Sequence, residues 1–355
     1  MSTALLGLSV GLSSRGEADT PKAKEVYTDP NDPAMPVDFK IQGEYVGEFA
    51  GGGKLGCQVI ALANGAFQAV VLPGGLPGAG WDGNTKILMD GKLDGTKAEF
   101  KPTTGKRKYM GKLPEEFSAT SKYPPPGQKD YTATCDGDTL KGKAEDGKEF
   151  ALKKVVRESS TLGAKPPEGA LVLFDGSNTD AWTGGRLDMK TKLLNTDGHD
   201  ILTKKKFNNY VAHVEFLLPF KPTGREQGRG NSGFYQVDHY EIQILDSFGL
   251  DGKDNECGGF YTKAPPKVNM CLPPLVWQTY DVEFTNAVAE DGKKSKNARA
   301  IVKHNGVVIH DNVEINGPTG GGRDVKKEPE GTPGPLKLQG HGNPLQFRNV
   351  WVVEK

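Results

Sequence analysis

Cysteine is scarce: Cys57, Cys135, Cys257 and Cys271 serve a chain of 355 residues, and no two stand at the short spacing of a zinc-binding pair. Cys257 and Cys271 bracket one loop, so a disulfide in an exported protein and two buried free thiols both stay open. No stretch approaches the roughly 20 consecutive apolar residues that a membrane-spanning helix needs. Long amphipathic helical periodicity is also missing, which excludes the helical fold classes. Neither sign of charge is in excess, with 45 Lys and Arg against 45 Asp and Glu. No bulk field therefore draws the chain to nucleic acid or to an anionic membrane.

Glycine (47) and proline (24) are plentiful. With so little helical pattern, this composition predicts an all-β chain of many short strands joined by turns. At 355 residues and 35% hydrophobic content, the length exceeds one ordinary core and points to two domains. Residues 1–37 read as a tail or leader; the apolar start from Met1 to Ser14 resembles a secretory signal without its basic beginning, which suggests export to a periplasmic or extracellular space. Residues 38–157 read as a small antiparallel barrel or sandwich of unknown role. There, apolar runs at 57–63 and 66–72 flank Asn64-Gly65, a type I′ hairpin signal, and Asp-Gly turns recur. The Gly-rich loop 72–83 lacks phosphate-loop spacing, and its Trp81 either stacks on a sugar ring or packs back over the barrel. Residues 158–168, with Pro166-Pro167, read as a linker, and 169–355 form the second domain.

Polar chemistry concentrates in residues 231–246. Tyr240, Ile242 and Ile244 alternate with Glu241 and Gln243, so the acid and the amide share one face of a strand. Asp246 is out of phase by one residue; a bulge after Gln243 would return it to that face, and a solvated polar face is the plainer alternative. His213 and Glu215 share a side of the strand predicted at 210–218. Residues 249–274 form a loop long enough to be a lid, and 316–335 read as a mobile surface excursion.

Leu173-Phe-Asp-Gly176 before Trp182, Asn231-Ser-Gly233, Tyr240-Glu-Ile-Gln-Ile-Leu-Asp246, Trp277-Gln-Thr-Tyr-Asp281, the Asn305-Gly306 turn, and Leu338-Gln-Gly-His-Gly342 before Phe347-Arg-Asn349 follow one another in order. This series resembles the 3-keto-disaccharide hydrolase domain over residues 168–355. The resemblance implies a jelly-roll sandwich of two antiparallel sheets, like the concanavalin A-type lectins and glucanases, with a carbohydrate groove and cleavage of glycosides oxidised at C3. A 3-keto group acidifies the C2 proton, so a base can remove it while the glycosidic oxygen leaves C1; water can then add back.

On that reading Glu241 is the expected catalytic carboxylate, Asp246 its partner, and His341 and Arg348 the enolate-stabilising groups. Asn231 and Gln243 would bind sugar hydroxyls, with Tyr261 and Trp277 for stacking or lid contacts. His213 and Glu215 are candidate acid, base or metal ligands, and a divalent ion holding the keto and enolate oxygens is chemically sensible, although no spacing demands one. Gly340 stands where relatives often carry an acid. Two other readings compete. Glu241, Gln243 and Asp246 imitate the acidic strand of a family 16 retaining glucanase, and a jelly roll also serves as a non-catalytic carbohydrate-binding scaffold.

Overall fold

A computed structural model describes residues 24–291 and 293–355. The expected leader, residues 1–23 in particular, lies outside the described residues. The architecture is all-β, with a closed barrel followed by two large antiparallel sheets.

Eight antiparallel strands close the barrel, from Gly43–Phe49, which pairs on both sides, round to Glu149–Val155. Its strands neighbour one another in chain order, the up-and-down arrangement that removes sheet edges. The Asn64-Gly65 turn has the positive φ angles of 53° and 71° that a type I′ hairpin requires. The strand Thr139–Lys143, which sequence reading passed over, completes the circuit. Trp81 packs back over the barrel, its indole N–H donating to the Thr85 carbonyl at 2.8 Å.

The uninterrupted apolar runs at 57–63 and 66–72 have a physical reason. Cys57, Val59, Ala69 and Val71 face the barrel interior, whereas Ile60, Leu62, Val70 and Leu72 face outward into a core shared with the second half of the chain. Strands buried on both faces lose the alternation that one-sided burial imposes. Lys97–Pro102, covered on one side, keeps it.

The second half packs two antiparallel sheets face to face. The larger has Tyr210–Leu217 between Trp277–Thr285 and Gln346–Glu354. The five-stranded sheet runs from Trp182–Thr183 through Ile201–Thr203, Lys337–Leu338 and Ser232–Gln236 to the edge strand Tyr240–Ile244. Tyr210, Val214, Phe216, Val282 and Phe284 from the first sheet meet Phe234, Tyr240, Ile242 and Leu338 from the second. The Asn305-Gly306 turn, at φ of 53° and 81°, joins Ala298–His304 to Val307–Ile315 as its sequence predicts.

The 158–168 segment is tied along the outer face of the larger sheet. Ser159 Oγ lies 2.6 Å from Thr279 Oγ1, Thr161 Oγ1 donates to Asp281 at 2.6 Å, and the Gly163 N–H donates to Glu215 at 2.6 Å.

Candidate active site

The hairpin formed by Ser232–Gln236 and Tyr240–Ile244 turns through Val237 and Asp238, both with positive φ. A β-branched residue there is strained, and its surroundings hold it. Asp238 forms an ion pair with Lys337 at 2.8 Å, and its carbonyl accepts the Arg323 N–H at 2.9 Å. An open edge strand would leave backbone groups unpaired. Here Gln243 N–H donates to Gly259, Tyr261 N–H to the Glu241 carbonyl, and Glu241 N–H to Thr319 Oγ1. The long 249–274 loop and the 316–335 segment thus serve as cover for this strand, and the latter is packed against the site.

Phe234, Ile242 and Leu338 point into the core, so Gly233, Tyr235, Glu241, Gln243, Lys337 and Gln339 share the opposite face. Glu241 is 3% exposed. The Tyr235 hydroxyl donates to Glu241 Oε2 at 2.9 Å and accepts from Gln339 Nε2 at 3.2 Å. Lys337 Nζ stands over the Tyr235 ring, 3.8 Å from its centroid, and lies 3.5 Å from Asp200. Burial pushes the Glu241 carboxyl up to about 7, against the opposing Tyr235 hydrogen bond and the positive charge of Lys337. Gly233 is the residue that makes room: a Cβ there would overlap the Glu241 carboxylate. Gly321 is its counterpart in the cover, since a Cβ there would meet the Tyr235 hydroxyl.

Beside Glu241, three amides join. Gln227 Oε1 accepts from Asn231 Nδ2 at 3.0 Å and from Gln243 Nε2 at 2.9 Å. Tyr261 follows Phe260 in the covering loop and is partly exposed. His341 is exposed in the turn after Lys337–Leu338 and Gln339. At Gly340 a side chain would run into the backbone of Gly198 and His199, while the Gly340 N–H donates to Asp200 at 3.0 Å. A carboxylate therefore sits close to this position even though residue 340 supplies none.

Other expected members are elsewhere. The Tyr240–Ile244 strand keeps an even register and ends before any bulge; Asp246 turns away to a buried ion pair with Arg229 at 2.6 Å. It is not the carboxylate partner of Glu241, because a neighbouring guanidinium competes for it. Arg348 and Trp277 stack on each other, 4.0 Å from guanidinium carbon to ring centroid, on the outer face of the larger sheet. The whole sandwich separates them from Glu241, so they do not join its site.

His213 and Glu215 lie on that same outer face with their donor atoms engaged. His213 Nδ1 is 2.6 Å from Asp281, its ring stacks on Trp351, and Glu215 takes hydrogen bonds from Gly163 N–H, Arg348 and Asn349. Burial opposes the charged form of Glu215, but hydrogen bonds from His213, Asn349, Arg348 and Gly163 prevail and hold its carboxyl at about 2. This network fastens the 158–168 segment, which leaves neither residue presented as a ligand. Among the described residues no group of three or more His, Cys, Asp and Glu side chains is arranged for a metal ion. Cys257 and Cys271 are buried free thiols.

Tyr235, Lys337, Gln339, Asp200 and Gln227 are site residues that sequence reading missed. The first three were within reach of period-two alternation, since Phe234, Leu336 and Leu338 mark the core face. Asp200 lies in an irregular segment and Gln227 in a three-residue 3-10 turn, and neither carried a periodic signal.

A family model described as the 3-keto-alpha-glucoside-1,2-lyase-like domain matches residues 169–353. No curated protein matches the chain. A solved "putative glycosyl hydrolase" from Parabacteroides distasonis is 32% identical, covering 53% of this chain and 85% of its own, with a TM-score of 0.48. Another from the same organism, with the same description, is 20% identical, covering 57% and 98%, with a TM-score of 0.37. The GH43 protein BlXynB of Bacillus licheniformis is 9% identical, covering 84% and 65%, with a TM-score of 0.31.

Proposed function

Since residues 169–353 make the chain a member of the 3-keto-alpha-glucoside-1,2-lyase-like domain family, we propose that it is a carbohydrate-active enzyme that cleaves the glycosidic bond of glycosides oxidised at C3. The observation that carries this reading is one buried carboxyl poised near neutrality, Glu241, on the same sheet face as buried Lys337, whose ammonium is paired with Asp238 at 2.8 Å and whose charge acts on Glu241.

Each group has a task in an elimination. Glu241, as carboxylate, takes the proton from C2, and the electron pair of that C–H bond enters an enolate across C2, C3 and the C3 oxygen. The enolate then re-forms the C3 carbonyl and supplies the C1–C2 double bond as the C1–O bond breaks, its electron pair leaving with the oxygen. Negative charge passing onto the C3 oxygen is met by Lys337, in a setting where burial strengthens the interaction. The departing oxygen takes a proton from His341 at the exposed rim. Water adding across the new double bond gives the net hydrolysis product. Gln243 and Asn231, both buried, bond to Gln227 and hold that amide at the edge of the site. A carboxyl that titrates near 7 is a stronger base at neutral pH than an ordinary glutamate.

A retaining glycosidase needs a second carboxyl roughly 5–5.5 Å from the first. Asp246, the candidate for that role, is committed to Arg229. The test is incubation with a methyl 3-keto-glucoside, the parent methyl glucoside and a β-glucan. Methanol release from the keto substrate alone supports elimination. Cleavage of the parent glucoside or the glucan would replace this reading with ordinary glycoside hydrolysis, and binding without turnover would leave a lectin.

A further inference from the structure

The loop 222–231 belongs to the second half of the chain by sequence but is fastened to the barrel. Arg225 Nη2 donates to the Leu62 carbonyl at 2.9 Å, and Arg229 Nη1 donates to the Ala61 carbonyl at 3.0 Å, both at the rim of one barrel hairpin. Arg229 also holds Asp246. Neither arginine touches Glu241. Between them stands Gln227, whose amide turns to the site. Its oxygen accepts from both Asn231 and Gln243, and its Nε2 donates to the Asn255 carbonyl at 2.9 Å.

One amide thus fixes the orientation of two others. Gln243 lies two residues along the strand from Glu241, about 7 Å away. Asn231 and Gln243 are 2% and 1% exposed, whereas Gln227 is only partly covered. Of the three, Gln227 is therefore the one that an arriving ligand meets first. With its oxygen taken by Asn231 and Gln243 and one Nε2 hydrogen by Asn255, Gln227 offers its second N–H, a neutral donor that suits a sugar hydroxyl oxygen. A donor aimed at a hydroxyl discriminates, because an analogue lacking the hydroxyl leaves that polar group unpaired.

We propose that Gln227 is a specificity-determining residue that reads a ring hydroxyl of the glycoside away from the reacting carbons, and that the barrel holds it in place through Arg225 and Arg229. This rests on the proposed keto-glycoside cleavage and gives the barrel a part in it: it sets the position of a loop that selects substrate.

The experiment measures kcat and KM of wild type, Gln227→Ala, Gln227→Glu and Arg225→Ala on methyl 3-keto-glucoside and its 4-deoxy and 6-deoxy analogues, with thermal melting as a folding control. For wild type, one of the two deoxygenations should lower kcat/KM at least about tenfold. In Gln227→Ala the KM for the parent substrate should rise about tenfold, with kcat within about twofold, and that deoxy penalty should shrink to about twofold or less. Gln227→Glu, which keeps the acceptor for Asn231 and Gln243 but has no N–H to give, should show the same reduced deoxy penalty as Gln227→Ala. Arg225→Ala should shift KM in the same direction as Gln227→Ala. If Gln227→Ala keeps the full deoxy penalties, or loses kcat with KM unchanged, Gln227 does not read the sugar and the proposal falls alone. If wild type turns over none of the keto-glucosides, the functional reading falls and takes the proposal with it.

Discussion

Glu241 occupies space that any side chain at position 233 would claim, so the glycine of Asn231-Ser-Gly233 is a requirement of the acid opposite it. Gly233→Ala adds a methyl group that can be accommodated only by moving the carboxylate and the neighbouring Tyr235 ring. Displacing a catalytic group by about 1 Å costs on the order of 100-fold. The expected result is a loss of that size in kcat with the melting temperature nearly unchanged, measured by steady-state kinetics alongside thermal denaturation. The pH profile tests the same residue. A base whose carboxyl stands at about 7 makes kcat/KM rise with pH through that value. Because the Tyr235 hydroxyl stabilises the carboxylate, Tyr235→Phe should move the midpoint upward; a downward shift would remove that hydrogen bond from the description. For stability the sign is fixed. Folding raises this carboxyl, so its favourable contribution is present below its unfolded value of about 4.3 and is lost as pH rises through about 7. Glu241→Gln should therefore gain stability relative to wild type between pH 5 and pH 8, as read from denaturant titrations at both.

At the scale of elements, the site hairpin was legible because one-sided patterns survive in it: Tyr240, Ile242 and Ile244 face the core and Glu241 and Gln243 do not. Asp246 was not legible in the same way. Its orientation is decided by Arg229, seventeen residues earlier and itself anchored on a barrel carbonyl, and no local period reports a partner of that kind. Arg348 and Trp277 show the same limit, since alternation assigns a face but not which sheet's outer face holds the chemistry. The Asp246–Arg229 pair, with side chains 1% and 7% exposed, is buried enough for its rupture to leave an uncompensated charge. Asp246→Ala should cost about 3–5 kcal/mol in a denaturant titration. It should leave the pH midpoint of any surviving activity in place, because Asp246 does not face Glu241. A shifted midpoint would return Asp246 to the catalytic pair.

For the whole molecule, composition was enough to give an all-β chain, and turn chemistry gave the barrel's hairpins. What composition did not reveal is the sharing of one core. Ile60, Val70 and Leu88 of the barrel pack with Phe248, Leu250 and Met270 of the loops around the site. Lys86 adds an ion pair to Asp251 at 3.0 Å, and the Tyr109 hydroxyl bonds Glu256. Such an interface couples the two halves, so calorimetry should record a single unfolding transition; two resolved transitions would mean that the halves hold together independently. The shared core also bears on function, because the loops that cover and flank Glu241 are those the barrel grips.

The most direct test of the central role given to Glu241 follows the C2 hydrogen. Methyl 3-keto-glucoside incubated with the protein in D₂O should exchange its C2 proton for deuterium, or release methanol with deuterium incorporated at C2 of the hydrated product, and Glu241→Gln should abolish both. Cleavage with the C2 proton retained, or full exchange by the folded Glu241→Gln variant, would contradict it.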